Sequence, residues 1–152
     1  MKHPKDEEGF TLTEMLVVIT IIVLTLTLSL PYSLKSGVAR RLDAATGIVA
    51  AKLRETRSLA LIANEPRTLT FNFDTNTLAR ADGTPIYTLP ASVRLSLTTA
   101  DNLIMEHQGG IAFFANGAAT GGSLLLSDGD LTRRIAVNWL TGAIVVSAEA
   151  AP

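Results

Sequence analysis

The sequence has 152 residues, a formal net charge of −1 and no cysteine. The length suits one domain with a tail, the near-neutral charge creates no overall field that attracts nucleic acid, and the lack of cysteine excludes disulfides, thiol catalysis and thiolate metal sites. Apolar residues make up 47% of the chain but are concentrated near the N-terminus, and the remainder is composed like an ordinary small soluble domain.

The first element is an apolar run of 21 residues, 10–30, in which Glu14 is the only charged residue. As a helix it would span about 31 Å, close to the roughly 30 Å hydrocarbon core of a bilayer, and it therefore predicts a transmembrane helix. The run is longer than the apolar part of a signal peptide and no A-x-A cleavage site follows it. A carboxylate costs roughly 2.5–3.5 kcal/mol at mid-bilayer, so Glu14 needs either a partner or a position near the interface.

The segment GFTLTEM, residues 9–15, resembles the class III signal of type IV pilins and of the pseudopilins of type II secretion. The resemblance implies that residues 1–9 are a leader that a prepilin peptidase removes after Gly9. It also implies that Phe10 is then methylated at its new amino group and that Glu14 pairs with the N-terminal amine of a neighbouring subunit. One departure is the acidic Asp6-Glu7-Glu8, because family leaders are usually basic before the glycine.

The apolar run ends at Pro31, which removes one backbone donor and predicts either a helix stop or a kink. The pilin-like resemblance favours a kink after which the helix resumes. Residues 31–64 support resumption, because apolar residues recur there at helical spacing opposite a polar face. The apolar positions are Val38, Leu42, Ala45, Val49, Leu53 and Ala60. We interpret this stripe as core packing and expect the helix to end at about Asn64, before Glu65-Pro66.

From Arg67 the apolar period changes to two, which predicts a β-rich globular domain over residues 67–152. Short strands alternate with Gly, Asn and Asp turns, and residues 99–110 are predicted to be irregular. Strands are expected at 68–73, 77–80, 86–89, 93–97, 111–114, 123–126, 134–139 and 143–146. The predicted fold class is α+β, with a long N-terminal helix packed on an antiparallel sheet or a two-sheet sandwich.

The second half of the chain carries its own resemblance. The segments IAFFANG, TGG and IAVNWLTG, at residues 111–117, 120–122 and 135–142, resemble the C-terminal domain of the H-type minor pseudopilins. The FimT-like minor pilins of type IV pili share this pattern. The pattern therefore indicates the pilin-like superfamily more firmly than it distinguishes a type II secretion system from a type IV pilus.

Other candidate chemistry has weak support. A catalytic triad would depend on His107 alone, since His3 lies in the leader, and no second histidine or cysteine would help His107 bind a metal. Ser127-Asp128-Gly129-Asp130 has oxygen ligands of the kind calcium prefers, but two aspartates around a glycine are more typical of a hairpin. Gly109-Gly110 and Gly121-Gly122 lack the Gly-Lys-Ser/Thr of a phosphate loop, and we interpret both as turns.

Nucleic-acid binding is also disfavoured. Arg133-Arg134 is the strongest basic pair in the globular part, whereas such binding needs a broader basic patch. FimT-like DNA-binding pilins carry arginines around the final glycine strand, and residues 141–146 have none. Loss of residues 1–9 takes two of the 13 basic and three of the 14 acidic residues, which leaves 11 of each and a net charge of 0.

Together the resemblances imply a minor pseudopilin of a type II secretion system, with no enzymatic activity and no cofactor. The expected partners are the prepilin peptidase, major and minor pseudopilins and the inner-membrane assembly platform, with secreted cargo and the outer-membrane secretin left open. The expected location is the inner membrane, crossed once, with a cytoplasmic N-terminus and a periplasmic domain. The alternatives are a FimT-like minor pilin that acts in pilus assembly or DNA uptake and, last, an enzyme.

Overall fold

The computed structural model describes residues 11–99, 104–105 and 107–149, without the side chains of residues 27–36, 104–105 and 149. Contacts between Cα atoms divide the chain into two units, residues 1–37 and residues 38–152. Within the described ranges, none of the helical structure is both long enough and apolar enough to cross a membrane.

One helix, α1, runs from Leu12 to Ala63. Thr11 caps its first turn, because the backbone N–H of Glu14 donates to the Thr11 hydroxyl at 3.3 Å. The helix continues through Pro31, and the kink predicted there stays a prediction. The helix ends one residue before the predicted position, where Asn64 adopts a left-handed conformation with a φ of 54°. Asparagine tolerates this conformation, which commonly terminates helices.

The second half of α1 buries the apolar stripe that was predicted to pack in the core, except Val38, which is half-buried. Leu42, Ala45, Val49, Leu53 and Ala60 are all buried. Thr46 lies in the same stripe and is also buried, and its hydroxyl donates to the Leu42 carbonyl oxygen at 2.7 Å. This bond within the helix satisfies the hydroxyl, so that a polar residue can occupy a core position.

In the part of the chain that the structure describes, nine strands form two antiparallel sheets. The first sheet has the order β3-β2-β1-β6-β5 and the second has the order β4-β7-β8-β9. The strands are β1 (Arg67–Asn72), β2 (Thr77–Arg80), β3 (Pro85–Thr88), β4 (Arg94–Thr98), β5 (Ile104–Met105), β6 (Gln108–Phe113), β7 (Gly122–Asp128), β8 (Leu131–Val137) and β9 (Ile144–Glu149). The predicted fold class, a long helix with antiparallel sheets, is confirmed.

The segment predicted to be irregular, residues 99–110, contains β5 and the first half of β6. The interpretation of Gly109-Gly110 as a turn was wrong, since both glycines lie in β6 and pair with Phe71 and Thr70. A Cβ on Gly110 would lie 3.2 Å from the Thr68 methyl carbon. Gly110 is therefore at a tightly packed position inside the sheet, where a small residue fits.

A single hydrophobic core joins the second half of α1 to both sheets. Its largest fully buried side chains in the first sheet include Phe71, Phe113 and Ile111, and those in the second include Leu124 and Ile135. In β1 and β7 alternate residues are buried, as expected for strands with one face on the core, whereas β6 is buried at five consecutive residues. Helix α1 therefore positions both sheets and the loops between their strands.

Candidate assembly and interaction sites

The predicted processing site lies at the limit of the described chain. Gly9 and Phe10 fall outside the described residues, so cleavage and methylation there stay predictions. Glu14 is exposed and is the third residue of α1, and Thr11 immediately precedes the helix. Thr11 and Glu14 have the Thr-x-x-Glu spacing of a helix capping box, which could have been predicted from the sequence.

In the described apolar part of α1, two threonine hydroxyls bond to the helix backbone. Thr20 donates to the Leu16 carbonyl oxygen at 2.7 Å, and Thr25 donates to the carbonyl oxygens of Ile21 and Ile22 at 3.0 and 2.9 Å. Since these donors are satisfied inside the helix, the segment presents mainly apolar groups around its circumference. Leu16, Ile19 and Leu24 are among its many exposed large side chains.

Ion pairs Arg41–Asp128 and Asp43–Arg133 connect α1 to the second sheet. Arg41 donates through Nε to the Asp128 carboxylate at 2.9 Å, and Ser92 donates to the same oxygen at 3.0 Å. Asp128 is buried, and it closes the β7–β8 hairpin in which Gly129 has a φ of 61°. The sequence predicted this hairpin but not the structural role of Asp128, because Arg41 lies 87 positions earlier in the chain.

The second ion pair joins Arg133 of β8 to Asp43 of α1, with Nε 2.8 Å from the carboxylate. Arg133 also donates through Nη1 to the Thr132 carbonyl oxygen at 3.1 Å. Arg133, one of the two arginines considered for nucleic-acid binding, is therefore bound to partners within the fold. His107 is exposed and its Nδ1 lies 3.3 Å from Asp74, which is also exposed. Among the described residues, no three histidine or acidic side chains are grouped so that they could hold a metal.

Two loops of the globular domain meet beside Arg57, and each contains a glycine. Gly117 and Gly142 both have positive φ, at 87° and 62°. A Cβ on Gly142 would overlap the Gly117 carbonyl oxygen and would lie 2.8 Å from Arg57 Nε. These glycines are thus positions of close backbone approach, at which a side chain would separate the two loops.

Arg57 lies beside both loops and donates a hydrogen bond to one of them. Its Nη2 donates to the Thr141 carbonyl oxygen at 3.0 Å. Its Nε is buried and meets no hydrogen-bond acceptor in the described part of the chain. The role of Arg57 could not be predicted, because nothing in the local sequence pattern distinguishes it from other polar residues on the helix.

The loop between β8 and β9, residues 138–143, is held rigidly by hydrogen bonds. The Asn138 side chain accepts from the backbone N–H groups of Leu140 and Thr141, at 2.9 and 3.1 Å. The Gly142 N–H donates to the Asn138 carbonyl oxygen at 2.8 Å, and the Trp139 carbonyl oxygen accepts from the Ala119 N–H at 2.8 Å. These hydrogen bonds fix the backbone of the loop and so the directions of its Cα–Cβ bonds.

The rigid loop displays two large apolar side chains. Trp139 is 66% exposed and Leu140 is 63% exposed. Behind Trp139 the backbone is packed closely, since a Cβ on Gly121 would lie 2.9 Å from the Trp139 Cβ. We call Trp139 and Leu140 the display pair. Tryptophan is enriched among the residues that contribute most to the affinity of protein–protein contacts.

The chain is similar to known proteins both in sequence and in fold. A family profile described as the prokaryotic N-terminal methylation motif matches residues 4–30. Over 138 residues the chain is 35% identical to type II secretion system protein H of Xanthomonas campestris pv. campestris, which covers 90% of this chain and 80% of that protein.

Two solved structures share the fold. The minor pseudopilin EpsH from the type 2 secretion system of Vibrio cholerae matches with a TM-score of 0.56 at 13% identity, over 71% of this chain and 97% of that one. The type IV minor pilin FimU of Pseudomonas aeruginosa also matches with a TM-score of 0.56, at 16% identity, over 73% of this chain and 94% of that one. On the extent and identity of the match to protein H, this chain belongs to the H-type minor pseudopilin family of type II secretion.

Proposed function

We propose that this protein is a structural subunit of a type II secretion pseudopilus and helps to export folded proteins. In this role a prepilin peptidase cleaves after Gly9, Phe10 is methylated, and the mature chain assembles with other pseudopilins. The observation that carries the proposal is the 35% identity to a type II secretion protein H over 90% of this chain. The methylation motif over residues 4–30 supports it at the processed end.

The proposal places residues 10–30 in the inner membrane, with the N-terminus in the cytoplasm and the globular domain in the periplasm. This part rests on the sequence, in which 21 residues carry one charge. Cleavage would create an amine at Phe10, and Glu14 of a neighbouring subunit would neutralise it. Such a pair is stronger in a low-dielectric environment than in water, and it would also set the register between subunits.

The chain is proposed to be the substrate of an enzyme and to have no catalytic activity of its own. The family consists of structural components, and the work of this member is assembly. Its contacts beyond the other pseudopilins are proposed to be with the inner-membrane assembly platform. Secreted cargo and the outer-membrane secretin are proposed as further partners.

The test is a clean deletion in the native strain, complemented with the full chain and scored in parallel for three activities. Extracellular hydrolase activity should fall to background, while twitching motility and DNA uptake stay unchanged. Complementation should restore the hydrolase activity. Unchanged secretion in the deletion strain would overturn the proposal.

A second candidate is a minor pilin of a type IV pilus. The observation in its favour is the FimU structure, which matches this fold with the same TM-score as EpsH, 0.56. In the same deletion strain this candidate predicts loss of twitching motility or DNA uptake with secretion intact. DNA retardation by the protein, lost on substitution of Arg133 and Arg134, would further support a role in uptake.

A further inference from the structure

Asn116 is the only asparagine of the chain that is followed by glycine, and the other five are followed by larger residues. The pair lies in the loop between β6 and β7, where Asn116 is exposed and Gly117 is buried. The side-chain amide of an asparagine can be attacked by the backbone nitrogen of the next residue. This attack is least hindered when the next residue has no side chain.

A tight turn fixes the position of the Asn116 side chain. The Gly117 N–H donates to the Phe114 carbonyl oxygen at 2.9 Å, so Asn116 is the third residue of a β-turn. The Ala118 N–H donates to Asn116 Oδ1 at 3.1 Å, which forms an Asx turn. This second bond folds the side chain back along its own backbone. The amide carbon therefore lies beside the nitrogen of the next residue.

The same turn favours attack on the side-chain amide. Two groups held next to each other react far faster than the same groups free in solution, because the entropy of bringing them together is already lost. The attack places negative charge on Asn116 Oδ1, and a backbone donor at an oxygen where charge develops lowers the barrier of acyl transfer. The Ala118 N–H is such a donor. Arg57 adds positive charge nearby, since its Nη2 lies 3.6 Å from the place of a Cβ on Gly117.

We propose that Asn116 is a site of spontaneous deamidation through a cyclic imide formed with Gly117. The Gly117 nitrogen loses its proton to a base of the solvent and forms a bond to Asn116 Cγ. The bond between Cγ and the side-chain nitrogen then breaks, and this nitrogen takes a proton from the solvent and leaves as ammonia. Water adds to one of the two imide carbonyl groups and opens the ring to aspartate or isoaspartate. Water and hydroxide are the only other reactants.

Asn138 provides a comparison within the same domain. It is also exposed, and its Oδ1 accepts from the N–H of Leu140, two residues on, at 2.9 Å. The nitrogen that would attack belongs to Trp139, whose Cβ would lie 2.9 Å from a Cβ on Gly121. Asn138 therefore has the same side-chain hydrogen bond as Asn116 but a hindered nucleophile. We expect it to be deamidated at least tenfold more slowly.

Isoaspartate would change the loop more than aspartate would. In isoaspartate the main chain runs through the side-chain carbon, which adds one methylene to the backbone. Gly117 has little room for a longer path, because its carbonyl oxygen packs against Gly142, where an added Cβ would overlap it. In the same loop the Ala119 N–H donates to the Trp139 carbonyl oxygen at 2.8 Å. Isoaspartate at position 116 should therefore loosen the loop that carries the display pair.

The test ages the purified full chain, folded in detergent, in a mildly alkaline buffer. Samples taken over time are digested and sequenced by mass spectrometry, which identifies each deamidated residue, and a sample digested at once corrects for deamidation during digestion. Asn116 should be deamidated at least tenfold faster than Asn138, with isoaspartate as the main product. The rate should rise with pH, because the Gly117 nitrogen must lose its proton to form the imide.

Two substitutions test the mechanism. Asn116→Ser removes the amide and keeps a hydroxyl that can accept from the Ala118 N–H. Trp139→Gly removes the side chain that hinders attack at Asn138, so Asn138 should be deamidated at least tenfold faster while Asn116 keeps its rate. Resistance to protease shows that each variant is folded. If Trp139→Gly does not fold, the comparison of the two asparagines in the unchanged chain decides.

Fluorescence measures the effect on the display pair. Trp139 is the only tryptophan of the chain, so the tryptophan signal comes from this loop alone. The fluorescence anisotropy of the unchanged chain should fall as isoaspartate accumulates, because Trp139 becomes more mobile. The Asn116→Ser chain, aged in the same way, should keep its anisotropy.

The inference is wrong if Asn116 is deamidated no faster than Asn138 in the folded chain, or if it reacts only after urea has unfolded the chain. Aspartate without isoaspartate would show direct hydrolysis of the amide, with no imide. An unchanged anisotropy in a chain that carries isoaspartate would refute the effect on Trp139. None of these measurements depends on secretion, so the proposed function is tested separately.

Discussion

The two halves of helix α1 differ in whether their apolar side chains are buried. In the second half, Leu42, Val49 and Leu53 are fully buried against the two sheets. In the first half, Leu16, Ile19 and Leu24 are exposed, and the hydroxyls of Thr20 and Thr25 bond within the helix. Packing within the chain therefore explains why the second half of α1 has an apolar stripe. In the described part of the first half, the large apolar side chains are exposed.

This difference predicts that substitutions at the two ends affect different measurements. Changes near the N-terminus should alter processing and assembly without altering the free energy of unfolding of the globular domain. Changes around Arg57 or Asp128 should alter that free energy first, with assembly affected through the loss of folded protein. Each prediction below tests whether the two kinds of effect stay separate.

The largest effect is expected at the cleavage site. Gly9→Leu should block removal of the leader almost completely, because the resemblance assigns the scissile bond to Gly9-Phe10. Mass spectrometry of the full chain from the native strain should show that residues 1–9 are retained. His3→Leu, inside the same leader, is the matched control and should be cleaved normally. A Gly9→Leu chain with the mature mass would refute the leader assignment.

The next effect is expected at Glu14. Glu14→Ala should be processed normally but should enter filaments at least tenfold less, because the neighbouring Phe10 amine would lose its counter-charge. A buried unpaired charge is costly, which makes the loss large. Recovery of the protein in sheared filament fractions measures this.

Thr11→Ala separates pairing between subunits from capping within the helix. It removes the hydroxyl that accepts from the Glu14 N–H but keeps the carboxylate. Loss of such a cap costs about 0.5–2 kcal/mol of helix stability. If Thr11→Ala impairs assembly as much as Glu14→Ala, the capping role explains Glu14 and the pairing hypothesis is wrong.

The sequence predicted the elements whose cause is local. The buried stripe of α1 and most of the strands follow from apolar spacing, and the family follows from GFTLTEM and the later glycine pattern. The sequence did not predict the contacts between distant residues, such as Arg57 with Thr141 and Arg41 with Asp128, which are 84 and 87 positions apart. It also misplaced Gly109-Gly110, because a glycine pair in a crowded sheet looks the same in sequence as a turn.

Within the globular domain the largest effect on stability is expected at Gly142. Gly142→Ala should lower the free energy of unfolding by about 2–4 kcal/mol, since the new Cβ would overlap the Gly117 carbonyl oxygen in a backbone conformation already unfavourable for alanine. Urea denaturation of the purified chain in detergent measures the change.

Gly83→Ala is the matched control for Gly142→Ala. Gly83 also has a positive φ, 82°, but nothing lies within 4 Å of a Cβ there. Its substitution should cost only about 1–2 kcal/mol, the conformational part alone. Equal losses for the two variants would show that the close approach of the two loops contributes nothing to stability.

A smaller loss is expected at the buried carboxylate. Asp128→Ala should lower the free energy of unfolding by about 1–3 kcal/mol, because it leaves Arg41 and Ser92 without their shared acceptor. The effect is limited because the Arg41 side chain is 45% exposed and water can solvate it. Urea denaturation again measures the change, and a loss below about 0.5 kcal/mol would contradict a structural role for Asp128.

The smallest effect is expected at Asp43, which joins the same helix to the same sheet as Asp128 does. Its ion pair with Arg133 has the shorter distance, 2.8 Å against 2.9 Å, yet the Asp43 carboxylate is exposed and the Asp128 carboxylate is buried. Exposed pairs are worth about 0–1 kcal/mol because water and salt screen them. Asp43→Ala should therefore cost less than about 1 kcal/mol, and 0.5 M salt should remove most of that cost. If Asp43→Ala costs as much as Asp128→Ala, distance and not burial would determine how strongly α1 is held to the second sheet.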